Sequence, residues 1–209
     1  MHLTLRRVNR RLFLWGLANG ATMLALAGAF WIGLGVGMVA PRSHWVVSAL
    51  GTAVQLSGVV WLILAARRLR HRSGFRRSEL RQLDGIAQAQ KQHIIKCMAW
   101  TTLGQALLIG LLVWTCVRVH AEQLVWSSIG AVVSLHLLPL GRLFHVRAYY
   151  ATGISGVVVS GAGLAASGSP YGVASLGVCM ATVMWVSAGY ILAAADRIAD
   201  QSCAESWAV

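Results

Sequence analysis

The chain has 209 residues, 57% of them hydrophobic and 11% charged, with a formal net charge of +12. Soluble domains carry about 25% charged residues, and six all-round apolar helices would leave no polar face for water, so a soluble fold is excluded. So large a positive balance is also the footprint of nucleic-acid binders, but membrane topology accounts for it here, and no nucleic-acid partner is expected.

Taken in chain order, apolar spans run at about 12–39, 45–66, 97–117, 124–141, 149–166 and 171–195. About 20 helical residues cross the ~30 Å hydrocarbon core. The sequence therefore predicts an all-α polytopic bundle, a single domain of six transmembrane helices. The first span exceeds that length and is expected to tilt or project beyond the core. Asn9-Arg10-Arg11-Leu12-Phe13-Leu14 has the form of a twin-arginine export signal, and Ala25-Leu26-Ala27 offers small residues for cleavage. The apolar run continues to Val39, however, well past the ~7–15 residues of a signal core, so an uncleaved first helix is expected.

The links on one side are short, at 40–44, 118–123 and 167–170. On the other side, a basic cytoplasmic loop is expected over 67–96, with a helix start at Ser78-Glu79 that leads into the third span. Its Arg67, Arg68, Arg70, Arg72, Arg76 and Arg77 are expected to meet anionic membrane lipid, at about 1 kcal/mol for each basic residue near the surface. Of the 18 Lys and Arg residues, all but Arg42 and Arg118 fall on the side of the termini. That bias predicts an N-in, C-in topology. Trp15, Trp45, Trp61, Trp100, Trp114 and Trp126 near the span ends agree, because indole favours the interface. Arg far outnumbers Lys and small residues abound, a habit of GC-rich bacteria, so a bacterial inner membrane is the expected location. Cys97, Cys116, Cys179 and Cys203 share no oxidising compartment and form no disulfide framework.

Small residues recur at helix-packing spacing: Gly16/Gly20, Gly33/Gly37, and Gly153, Gly156, Ser160 and Gly163. They suit a compact bundle or a homo-oligomer. The polar residues at membrane depth are Asn19, Gln55, Gln105, His136 and Tyr190. The helical rise puts four of them roughly 7–13 Å from the cytoplasmic edge, with Gln55 deeper. If they converge, they form a polar pocket that opens to the cytoplasm, centred on His136, an ionisable intramembrane residue. The plainer alternative is interhelical hydrogen bonding, worth about 0.6 kcal/mol per contact. Glu79, Asp84, Glu122, Asp196, Asp200 and Glu205 all lie in loops, span ends or the tail, so a cation-coupled pump is not expected. Nor is any metal, cofactor or catalytic constellation; His44 and His120 alone make a poor metal site.

The most distinctive string runs from Ser134 through His136, Pro139, Gly141, Arg142 and Arg147 to Tyr149, Tyr150 and Gly153. On one helix His136, Pro139, Leu143 and Arg147 share a face, and Arg142, His145 and Tyr149 share another. Pro139 frees the Leu135 carbonyl, while Arg142 and Arg147 at the mouth suit an anionic group. The candidate pocket is thus Asn19, Gln55, Gln105, His136, Pro139, Arg142 and Tyr190. The string resembles a signature in a family of small bacterial six-span inner-membrane proteins, a His-x-x-Pro-x-Gly helix followed by a Tyr-rich segment. The resemblance implies a six-span fold and an inner-membrane location, with matching positions at His136, Pro139, Gly141 and Tyr150; it implies no activity. The leading expectation is a binding or structural role around the pocket. The alternatives are a permease for small neutral or anionic solutes and an intramembrane enzyme with His136 as general base.

Overall fold

The computed structural model describes residues 2–39, 45–73, 85–144, 146–169 and 171–207. Its elements, in order, are α1 (His2–Val39), α2 (Trp45–Ser73), α3 (Gly85–Arg118), a single 3-10 turn (Glu122–Leu124), α4 (Val125–Phe144), α5 (Arg147–Ala165) and α6 (Gly172–Trp207). All six α-helices contain a stretch long and apolar enough to cross a membrane. This is the all-α, multi-pass architecture that the sequence predicts.

The helices outrun their apolar spans. An α-helix satisfies its backbone groups within the segment, so it continues past the hydrocarbon edge until something stops it. Residues 67–73, expected as a basic turn, are accordingly the helical end of α2, while 85–96 form the helical lead-in to the third span that the sequence predicts. Arg76, Arg77 and the helix start at Ser78 lie outside the described residues, as does the 40–44 link with Arg42 and His44. The end of α3 has a visible cause. Ala121 N–H donates to the Cys116 carbonyl (2.8 Å) and His120 N–H to that of Val117 (3.2 Å), with His120 at φ 55°. This is a Schellman closure with histidine where glycine usually stands.

In lipid, helices associate through close packing of small residues rather than through a hydrophobic drive. The central pair is α1 with α6; α2 lies against both, α5 packs on α6, α4 on α5, and α3 chiefly on α4. At the α1–α6 seam the backbones themselves meet: a Cβ on Gly177 would stand 2.8 Å from the Gly35 Cα and 2.5 Å from the Trp31 carbonyl oxygen. The α4–α5 seam is an antiparallel run of small contacts, with Ser127 on Gly163, Ser160 on Gly130, Ser134 on Gly156 and the Tyr150 ring on Gly141. Trp31, Met180 and Met184 fill the middle of the bundle. Trp185 of α6 ties three helices together: its Nε1 donates to the Ala25 carbonyl of α1 at 3.1 Å, and its ring lies over Gly28 of α1 and Gly58 of α2.

Candidate functional site

The polar residues singled out at membrane depth go to different seams. Gln55 donates from Nε2 to the Ala29 carbonyl at 2.7 Å, across α1–α2. His136, half-buried, lies beside the Thr101 backbone, across α3–α4. Gln105, half-buried, lies one turn along α3 from Thr101, whose hydroxyl folds back onto the Cys97 carbonyl at 2.8 Å. Asn19 is half-buried on α1, while Pro139 and Arg142 on α4 are exposed. These residues do not gather into one pocket, because α2 and α3 stand at opposite ends of the packing order. Depth follows from helical rise alone, whereas convergence needs rotation and neighbours.

The faces expected around His136 also change. Val146 is extended (φ −104°, ψ 108°), and Arg147 opens a new helix. Arg147 therefore does not continue the His136–Pro139–Leu143 face of α4, and Tyr149 does not join Arg142; His145 lies outside the described residues. The α2 arginines divide as well. Arg67 and Arg68 are exposed, whereas Arg70 turns inward and donates to the Thr22 hydroxyl of α1 at 3.3 Å. Arg72 pairs with Asp196 of α6 at 3.5 Å.

A cleft of about 170 Å³ opens at the end of the bundle that carries the N-terminal half of α1, the start of α5 and the C-terminal half of α6. Its walls are Phe13 and Leu17 from α1 and Ile191, Ala194 and Ile198 from α6. Among the described residues, two polar side chains line it, those of Arg147 and Tyr190, and no carboxylate does. Both are exposed. The first turn of α5 has no acidic residue, and Val146 offers no side-chain cap, so the positive end of this helix adds to the Arg147 charge.

Of the residues chosen from sequence, the cleft contains Tyr190. Sequence placed Arg147 at a mouth but on the wrong helix, and it missed the apolar wall, since periodicity identifies a face without naming what the face meets. Among the described residues, no group of three His, Cys, Asp or Glu side chains comes together. No protein-family model, curated protein or solved structure matches this chain.

Proposed function

We propose that the protein is a multi-pass binding protein of the bacterial cytoplasmic membrane, with the α1–α5–α6 cleft as its ligand seat on the cytoplasmic side. The orientation is supported by the distribution of Lys and Arg, and the location by the resemblance of the string from Ser134 to Gly153. The observation that carries the reading is the cleft itself, an apolar recess with one cation and one phenol at the Arg-rich end of the bundle. Concave, mostly apolar sites with a few polar groups are the usual form of ligand pockets. Binding is favoured over passage because Trp31, Met180 and Met184, at 2%, 0% and 2% exposed, fill the bundle centre.

Native mass spectrometry of gently purified protein tests this, with Ala194→Leu alongside to fill the cleft. The wild type is expected to retain a bound small molecule that Ala194→Leu loses. A wild type that carries nothing, and that neither lipids nor metabolites stabilise, overturns the reading.

A further inference from the structure

We infer that the occupant of this cleft is an anionic phospholipid of the cytoplasmic leaflet, with its phosphate on Arg147 and Tyr190 and one acyl chain against the α1 and α6 walls. The inference rests on the reading of the cleft as a ligand seat and adds the chemical class of the ligand.

Two features of the cleft select that class together. The wall side chains Phe13, Leu17, Ile191, Ala194 and Ile198 are purely hydrocarbon, so a small soluble anion would leave them uncovered. No described lining residue supplies a counter-charge to the exposed Arg147 guanidinium, so a neutral lipid or apolar metabolite would leave it without an anionic partner. A ligand with a hydrocarbon body and an anionic head satisfies both.

Position narrows the choice further. Arg147 is the first residue of the apolar stretch Arg147–Ala165, so it stands where that stretch meets the membrane surface. Phosphate at that level belongs to the lipid headgroups. A guanidinium fork matches phosphate oxygens in a bidentate manner, and a tyrosine at the boundary presents an apolar ring to the chains and a hydroxyl to the head. At about 170 Å³ the cleft takes part of one chain and leaves the rest of the lipid in the bilayer.

The test is the melting temperature of the delipidated full-length protein in neutral detergent, with added phosphatidylglycerol or phosphatidylcholine. The proteins compared are wild type, Arg147→Gln, Ala194→Leu and Arg118→Gln. Arg118, which stacks on Trp114 (5.6 Å) at the opposite end of the bundle, controls for loss of a positive charge. Phosphatidylglycerol at a hundredfold excess over Kd is expected to raise the wild-type melting temperature by roughly 5–10 °C. Phosphatidylcholine should raise it far less. Arg147→Gln, a surface change that leaves the core intact, and Ala194→Leu should each lose most of the gain, while Arg118→Gln keeps it.

Equal stabilisation by the two lipids, or an Arg147→Gln response equal to that of wild type, overturns the inference. If Ala194→Leu alone abolishes a response to phosphatidylcholine or to a metabolite, the cleft remains a ligand seat but not for an anionic lipid. If Ala194→Leu preserves every response, both readings fall.

Discussion

The hydroxyl of Tyr149 stands directly over Gly20, in the space that a side chain at that position would occupy. Tyr149 lies in the first turn of α5 and is 7% exposed, so this contact joins α5 to α1 at the same end as the cleft. Gly16, one turn earlier on α1, faces open space, with nothing within 4 Å of where a Cβ would lie. The two glycines therefore answer the same substitution differently. Gly20→Ala is expected to cost about 1–3 kcal/mol as an overpacked contact, whereas Gly16→Ala should be neutral or gain up to ~1 kcal/mol of helix propensity. Tyr149→Phe removes the colliding oxygen, so Gly20→Ala should cost less in that background, by about 0.5 kcal/mol or more. Unfolding midpoints of the four proteins in the cycle measure this coupling, and strictly additive effects would contradict the contact.

Ser160 on α5 is fully buried, and its Oγ has no hydrogen-bond partner among the described residues. Other buried hydroxyls of α4 and α5 behave otherwise. Ser134 donates to the Gly130 carbonyl at 2.7 Å, and Thr152 both donates to the Ala148 carbonyl and meets the Ser187 hydroxyl at 2.6 Å. An unsatisfied buried hydroxyl costs about 1–3 kcal/mol, so Ser160→Ala should hold stability or raise it. Thr152→Val, which removes an interhelical bond, should lose about 0.6 kcal/mol and at most ~1.7. Ser160→Val adds bulk where Gly130 lies against α5, and should cost about 1–3 kcal/mol. Chemical unfolding in mixed micelles ranks the three. A clear loss in Ser160→Ala would mean that the hydroxyl is satisfied in the membrane.

What could be read from the sequence was one-dimensional. Apolar length identifies each span without knowledge of its neighbours, so the six helices appear where expected and differ mainly in how far their ends extend. The small residues on α5 carry packing information because a helix has one close-packed face, and Gly153, Gly156, Ser160 and Gly163 all meet α4 or its side chains. The same rule fails at Gly16 and Gly37, which have open space around them, because spacing cannot tell a seam from a lipid face. The candidate pocket was the least legible part. Asn19, Gln105, His136 and Tyr190 were expected at one depth with Gln55 a little deeper, yet rotation and helix order send Gln55 to α1 and His136 to α3. The spans at 124–141 and 149–166 signalled a break between α4 and α5 but not its place at Val146, which moves Arg147 from the α4 face to the cleft. The resemblance string also has a packing meaning: Gly141 leaves room for the Tyr150 ring across the α4–α5 turn.

His120 holds the left-handed position that ends α3, with φ 55°. Histidine tolerates this region better than most residues, but glycine occupies it without steric cost. His120→Gly is expected to hold or raise stability, by up to about 1 kcal/mol, while His120→Val, whose β-branch makes this conformation a steric outlier, should lose about 1 kcal/mol or more. Melting temperatures of both variants check the assignment. If His120→Gly is strongly destabilising, the side chain has a role beyond the helix end.

His136 now reads as a fastener for α3. That helix packs chiefly on α4, so the approach of His136 to the Thr101 backbone is among the polar contacts that hold it to the bundle. Interhelical bonds of this kind average about 0.6 kcal/mol and reach ~1.7. His136→Leu should cost an amount in that range, and His136→Gln, which retains a donor, should cost less. Neither should alter the response to phosphatidylglycerol, because His136 does not line the α1–α5–α6 cleft. Melting temperatures with and without the lipid separate the two roles: a lower baseline with an unchanged lipid gain fits a structural bond. A lost lipid gain at an unchanged baseline would instead return His136 to the centre of the binding site.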